Sequence, residues 1–366
     1  MTNILIESYE EQPSFRLCER DFRLFASVKP IEIRARITKN ITPEDMDWCD
    51  VLVDIRGGNP LSEYVVRQAK RAGKKVYMTL DDDLIASYPT NYSGKVFEKS
   101  LISVMKIVDG VLTCNKYLGD KYKGLYGINY AIFDTVIDKS LIKKNVVENF
   151  AGKTRLLYAA GAKHIPFFEK YIYPCLNKLH QRYGEGVTLT IIGPDINLDG
   201  VKLTVEKIPS MTFESYRSFM DSHKYDIGLA PLFDTEFCRM KYFNKYLEYS
   251  TNNICGIYSN VMPYTFVVKN GENGLLADNT ADSWFDKICL LIDNEQLKSS
   301  IVINAKKHIL NEFSLLSVVN KLDREIPDLF SYKSKQSKTQ ICKHIRCRYN
   351  YYALKRRFFL LCDLNK

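Results

Sequence analysis

Short runs rich in β-branched residues alternate along the chain with longer runs whose apolar positions recur every three or four residues. Val51 to Ile55 (VLVDI) predicts a buried strand; after the turn Gly57-Gly58-Asn59-Pro60 a helix is predicted from about Leu61 to Ala72, stopping at Gly73. Val76 to Leu80 (VYMTL) is the next strand, followed by a helix near Val96 to Ile107 and a strand from Gly110 to Cys114. Polar and charged residues from Lys139 to Lys153 read as a linker, after which the rhythm restarts. Thr154 to Ala160 predicts a strand ending at Gly161, Pro166 to Tyr183 one long helix, and Val187 to Ile192 a strand ending in Gly193-Pro194-Asp195. Further elements are a helix from Phe213 to His223, a strand from Asp226 to Leu229, a helix through Lys241 to Tyr249, a strand from Ile254 to Tyr258, and helices after Asp282 and Glu295. The pattern implies an α/β protein of two doubly wound, Rossmann-like domains with parallel sheets, residues 1–145 and 146–332, followed by a segment 333–366. Ligands of such sheets bind outside the carboxyl ends of the strands, so the cleft between the halves is the expected site.

Composition narrows the function classes. The 366 residues carry 52 Lys+Arg and 43 Asp+Glu, a formal net charge of +9. Ten bases and one acid fall between Lys333 and Lys366; removing them from the totals leaves 42 of each in residues 1–332. The body is formally neutral, which argues against a nucleic-acid-binding protein. The start MTNILIESYEEQ lacks the layout of a signal peptide, no apolar run approaches a membrane span, and a cytoplasmic protein is expected. Ten cysteines are scattered without a C-x-x-C pair and read as reduced core thiols. Cys342, His344 and Cys347 supply only three metal donors among cations, too few for a zinc site.

On a helix, Lys241, Lys245 and Glu248 fall at i, i+4 and i+7, so two ammonium groups and a carboxylate would project from one face. A diphosphate suits the lysines and its ribose hydroxyls suit the carboxylate; an ordinary surface pair of Lys245 with Glu248 is the other reading. The segment Pro231, Leu232, Asp234, Phe237, Lys241, Lys245, Glu248 and Tyr249, spaced as P-L-x-D-x-x-F-x-x-x-K-x-x-x-K-x-x-E-Y, closely resembles the donor-binding segment of GT-B glycosyltransferases. The resemblance is to the large retaining bacterial family (glycosyltransferase family 4-like) that builds capsular, O-antigen and other surface polysaccharides. The strand ending Tyr258-Ser259-Asn260 and the run Asn270-Gly271-Glu272-Asn273-Gly274 match as well, and the likeness extends more loosely upstream to Thr154.

What the resemblance implies is a GT-B fold and sugar transfer from a nucleotide diphosphate sugar to a growing, lipid-linked or other glycan acceptor, with retention and without a metal or other cofactor. It assigns the nucleotide ribose to Glu248 and the diphosphate to Lys245 and Lys241, which would be catalytic by neutralising the departing charge, with Arg239 beside them. The second glutamate of many members is Met240 here, with Glu236 a substitute from the preceding loop, and Cys238 and Tyr242 replace an Asn and a Ser of the family variant. Gly161, Lys163 and His164, between a strand and a helix, are a second phosphate candidate; Ser259 and Asn260 would line the donor pocket, as would Gly193-Pro194 and Ile208-Pro209, these last two pairs being just as well turn residues.

In the first half, Asp81-Asp82-Asp83 follows the strand VYMTL. Three readings stand: a metal-bound D-x-D of GT-A enzymes, acceptor binding, or a solvated helix N-terminus. Acceptor binding by Asp81, Asp82, Asp83 and Arg56 agrees with the resemblance, with Asp82 also placed among the catalytic residues; Arg16 could line the same cleft. The five histidines form no hydrolytic triad or H-E-x-x-H motif. In the tail, Ile341, Ile345, Tyr349, Tyr352 and Phe359 fall near one helical stripe beside Lys343, Arg346, Arg348 and Lys355-Arg356-Arg357. This basic amphipathic pattern suits an anionic membrane surface, on the inner face of the cell membrane, or a helix packing back on the first half. A GT-B epimerase or hydrolase, and a degenerate scaffold subunit, are the alternatives to transfer.

Overall fold

The structure is a computed structural model and describes residues 1–88, 92–143 and 152–335. They divide into two compact units. The first comprises Met1–Val136, Met240–Tyr242 and the chain from Leu315 onward; the second comprises Ile137–Arg239 and Phe243–Ser314.

The first unit contains strands β1 (Thr2–Ser8), β2 (Ile31–Ile37), β3 (Val51–Ile55), β4 (Lys75–Leu80), β5 (Gly110–Thr113) and β6 (Tyr130–Ile132). They pair in parallel in the order β2-β1-β3-β4-β5-β6. Helices α1 (Pro13–Phe25), α2 (Pro43–Trp48), α3 (Pro60–Arg71), α4 (Leu84–Ser87), α5 (Tyr92–Met105) and α6 (Lys116–Tyr126) make the crossovers. Asn59 starts α3 by accepting from the N–H groups of Leu61 and Ser62, with Pro60 in the first turn. The central strands are apolar on both faces, as parallel strands covered by helices must be. Leu5, Leu52, Val76 and Met78 pack with Val65, Val66 and Leu101 on one side; Ile4, Ile6, Val51 and Val53 pack with Phe15, Phe22 and Phe25 on the other.

The second unit has β7 (Thr154–Ala159), β8 (Val187–Gly193), β9 (Thr204–Pro209), β10 (Ile227–Ala230), β11 (Cys255–Ser259) and β12 (Leu275–Ala277), all parallel in the order β12-β11-β10-β7-β8-β9. Its helices are α7 (Ile165–Tyr171), α8 (Tyr173–Tyr183), α9 (Phe213–Ser222), α10 (Glu236–Arg239), α11 (Asn244–Thr251), α12 (Ala281–Asp293) and α13 (Glu295–Glu312). The single helix expected from Pro166 to Tyr183 is two: Pro174 has no N–H with which to continue the ladder, and the break falls at Ile172. Edge strand β9, half exposed along its length, carries no apolar run and is absent from the sequence reading.

The chain closes on the first unit. Helices α14 (Leu315–Glu325) and α15 (Asp328–Ser331), which the sequence reading ran on with the second domain to residue 332, cover its sheet with Val318, Val319, Leu322, Leu329 and Phe330. The Thr2 hydroxyl bonds to the carbonyls of Phe330 (3.0 Å) and Tyr332 (3.2 Å). Lys333 and Ser334 then bond to the Asp50 carboxylate. Burial alone would raise that carboxyl, but Lys333 and the N–H groups of Asn3 and Ser334 together hold it below its ordinary value. The amphipathic segment from Ile341 to Phe359 and the Cys342, His344, Cys347 group lie outside the described residues. Among those described, seven cysteines are free and all are buried.

Candidate functional site

In an open parallel sheet, ligands sit at the carboxyl ends of strands where the winding direction reverses. The reversal falls between β1 and β3 in the first unit and between β7 and β10 in the second, whose strand order is that of dinucleotide-binding domains. Ala160-Gly161 follows β7, and Pro231-Leu232 follows β10.

Lys245 and Glu248 lie in the first turns of α11, which follows β10. The Lys245 ammonium donates to both carboxylate oxygens of Glu248, at 2.8 Å to Oε1 and 2.7 Å to Oε2. Tyr216, in the first half of α9, donates its phenol O–H to the same Oε1. Burial, and then the Glu248 charge, hold that phenol proton far above the tyrosine range. The Lys245 ammonium also stands 5.5 Å from the Tyr216 ring centre and 5.7 Å from that of Tyr249. Tyr216 had no signal in the sequence beyond being one aromatic residue in a predicted helix.

Lys241 does not join this face. The helix expected through Lys241 to Tyr249 begins only at Asn244, because Met240, Lys241 and Tyr242 are held in the first unit. Met240 is wholly buried in its apolar core, and the Cys114 thiol bonds to its carbonyl at 3.3 Å. The Asn115 side chain, which caps α6, donates to the Lys241 carbonyl at 2.8 Å. The Tyr242 hydroxyl reaches the Asp134 carboxylate at 3.2 Å. Lys241 consequently pairs with Asp82, at 3.4 Å, rather than standing one turn from Lys245.

The Asp81-Asp82-Asp83 run at the end of β4 does not act as one cluster. Asp83 is buried and structural: it caps α4 through Ala86 N–H and bonds to the Tyr122 hydroxyl (2.8 Å) and the Lys121 ammonium (2.9 Å). Asp81 accepts from the Ser14 hydroxyl at 2.5 Å and from Arg56 at 3.3 Å. Arg56 has φ +53, an uncommon conformation for a residue with a side chain that costs about 1 kcal/mol, held by its N–H bond to the Thr79 carbonyl. Asp82 is half-buried; burial raises its carboxyl, the Lys241 ammonium opposes the rise and Asp81 adds to it. Arg56, Asp81, Asp82 and Lys241 thus meet at the carboxyl edge of the first sheet. Arg16 pairs instead with Glu11 and Glu19 on the surface. Among the described residues, no group of three His, Cys, Asp or Glu side chains is placed to hold a metal ion.

Beneath Arg56 and Gly57 lies a pair that sequence reading missed. Glu7 on β1 and Asp54 on β3 face each other across the sheet, both wholly buried. The Thr38 hydroxyl donates to Glu7, and a Cβ on Gly57 would stand 1.8 Å from the Asp54 carboxylate. Burial raises both carboxyls, and the charge of Glu7 adds to the rise on Asp54, so the pair retains a proton.

The remaining candidates of the second unit follow its strands. Gly161 starts the short turn after β7 with open space around its α-carbon; Lys163 is exposed, and the His164 ring packs on Phe167 at 5.0 Å. Gly193 has φ +107, and a Cβ there would stand 2.2 Å from the Ala160 carbonyl, so only glycine lets these two loops meet. Pro194 is buried. Ser259 is buried and structural, accepting the Leu232 N–H at 2.8 Å. Asn260 is exposed and bonds to Asp278 at 2.9 Å. Glu236 is exposed on α10, and Arg239 is engaged by Asp234 through two bonds of 2.6 and 2.9 Å.

No protein-family model matches the chain, and no curated protein sequence does. Solved structures do. The Anabaena Alr3699/HepE protein in complex with UDP-glucose superposes with a TM-score of 0.66 at 10% identity, over 90% of this chain and 100% of that one. The sucrose-phosphate synthase of Thermosynechococcus elongatus gives 0.61 at 10% identity, over 90% of this chain and 99% of its own. A Listeria monocytogenes protein named as a UDP-N-acetylglucosamine 2-epimerase gives 0.57 at 10% identity, over 93% and 100%. The two six-stranded parallel sheets with their helices are the two Rossmann-like units of the GT-B fold.

Proposed function

We propose that the protein transfers a sugar from a nucleoside diphosphate sugar to a hydroxyl group of a glycan acceptor. The observation that carries this reading is the Lys245–Glu248 pair at the carboxyl edge of a sheet wound in dinucleotide-binding order. Its support is a fold shared with a protein whose structure holds UDP-glucose. Glu248 accepts from the nucleotide ribose, and Lys245 and Lys163 face the diphosphate, with Gly161 letting its oxygens approach the backbone. The bond between the sugar C1 and the diphosphate breaks, the acceptor oxygen bonds to C1 on the same face, and its proton leaves with the diphosphate. The protein's contribution is charge neutralisation by Lys245 and positioning of the acceptor by Arg56, Asp81, Asp82 and Lys241.

The acceptor we propose is a lipid-linked glycan, with the basic segment 333–366 holding the protein to an anionic membrane surface. Among the described residues no helix is long and apolar enough to cross a membrane. The likeness to a protein named as an epimerase favours one second reading, conversion of the donor without an acceptor.

Thermal shift against UDP, GDP, ADP, CDP and dTDP tests the donor class; stabilisation by none of them sinks the proposal. With the nucleotide known, release of nucleoside diphosphate from its sugar conjugates should rise when a glycan acceptor is added, whereas an epimerase would convert the donor alone. Glu248→Ala should weaken nucleotide binding about tenfold or more, the loss expected when a bond to a charged group is removed.

A further inference from the structure

Glu248, as the ribose ligand, meets the ribose with a carboxylate that is already partly occupied. A carboxylate has about four acceptor positions, two on each oxygen. Oε1 receives both the Tyr216 hydroxyl and the Lys245 ammonium, while Oε2 receives the ammonium alone. One acceptor position therefore remains, and it is on Oε2. The phenol cannot reverse its role, since an ionised tyrosine would set a second negative charge against Glu248. Tyr216 is not an incidental neighbour: α9 and α11 both begin at the carboxyl edge of the second sheet, following β9 and β10, so its ring arrives where a ligand of that sheet would lie. Thr212 fixes the start of α9 by accepting the Ser215 N–H at 3.2 Å, which sets the turn that carries Tyr216.

We infer that Tyr216 is a positioning residue that occupies Glu248 Oε1 and leaves Oε2 to read a single hydroxyl of the ribose. The inference rests on the proposed donor-site role of Glu248. A cis-diol gripped through both carboxylate oxygens would need Oε1 as well, and Tyr216 takes that position. The site should accordingly discriminate one of the two ribose hydroxyls and tolerate loss of the other.

The test uses the full chain and isothermal titration with UDP and GDP, each alongside its 2′-deoxy and 3′-deoxy forms. For the wild type, one deoxy form should bind as well as its parent and the other about tenfold more weakly, the cost of one hydroxyl on a charged acceptor. Tyr216→Phe keeps the ring beside Lys245 but frees Oε1, so both deoxy forms should then bind more weakly than the parent. A purely structural tyrosine could lower thermal stability, yet the hydroxyl pattern would stay that of the wild type; that result overturns the inference. Equal loss for both deoxy forms in the wild type overturns it too, because Tyr216 would then be releasing Oε1 on binding. Failure of the donor-site reading looks different: neither nucleotide binds, or Glu248→Ala binds UDP and GDP as the wild type does.

Discussion

Replacing Met240 by glutamate restores, on paper, the two-glutamate spacing that the chain lacks, and the structure predicts that the substitution damages the first unit. Met240 is 0% exposed and packs in the same apolar cluster as Leu80, Leu101 and Leu118. Glutamate is close to methionine in volume, so the cavity contribution is small and the cost is electrostatic. An ordinary glutamate has a pKa of about 4.3, and keeping it neutral in the core at pH 7.5 costs about 4 kcal/mol; at pH 5.5 the same step costs about 2 kcal/mol. Burying the neutral carboxyl without a partner adds about 1–3 kcal/mol. The sum at pH 7.5 is comparable to the whole stability of an ordinary domain, about 5–15 kcal/mol. The sign follows from the raised carboxyl: the folded state holds a proton that the unfolded state releases, so the variant loses stability as pH rises. The chain has two tryptophans, Trp48 in the first unit and Trp284 in the second, so urea unfolding in a Trp284→Phe background reads the first unit through Trp48. Met240→Leu should cost less than about 1.5 kcal/mol and serves as the control for shape. If Met240→Glu unfolds at the same urea concentration as Met240→Leu at both pH values, residue 240 reaches water and its assignment to the first unit's core is wrong.

Three other outcomes follow from the same geometry. Because the buried Glu7–Asp54 pair retains a proton that the unfolded chain releases, it makes the first unit less stable as pH rises from 5 to 7; Asp54→Asn should flatten that decline by about 1.4 kcal/mol per pH unit, and an unchanged slope in urea titrations would count against the pair. Gly193→Ala, with φ +107 and a Cβ aimed at the Ala160 carbonyl, should cost the second unit at least about 2 kcal/mol, measured through Trp284 in a Trp48→Phe background; wild-type stability would mean that the two loops do not meet. Truncation after Lys335 preserves the Lys333 and Ser334 bonds to Asp50 and should abolish co-sedimentation with anionic phospholipid vesicles, so equal binding by full and truncated chains refutes the membrane role of the tail.

The doubly wound architecture is legible because parallel strands covered on both faces leave short apolar runs between amphipathic helices. The pattern fails where burial depends on a distant partner. Strand β1 includes Glu7, which looks like a solvent-facing residue until Asp54 is found opposite it. The spacing of Lys241, Lys245 and Glu248 is helical, yet the helix starts at Asn244, since Met240 and Tyr242 are anchored by Cys114, Asp134 and the core of the first unit. That anchoring is a long-range contact with no local signature. The same holds within the acidic run, where only the structure separates Asp83, turned into the core toward Tyr122, from Asp81 and Asp82 at the sheet edge.

The return of α14 and α15 to the first sheet carries a consequence for synthesis of the chain. Domains commonly fold as they leave the ribosome, the N-terminal one first. Here the first strands emerge early, but the face made by Ile4, Ile6, Val51 and Val53 is completed by Val318, Leu322 and Phe330, more than 300 residues after Ile4. The Thr2 hydroxyl finds its partners Phe330 and Tyr332 at the same late moment. The second unit, whose residues all lie between Ile137 and Ser314, has by then been fully translated. The unit whose strands are made first of the two is thus the one finished last, and a nascent chain stalled before Leu315 carries a sheet face only partly covered, by Phe15, Phe22 and Phe25 of α1, that invites chaperones or aggregation.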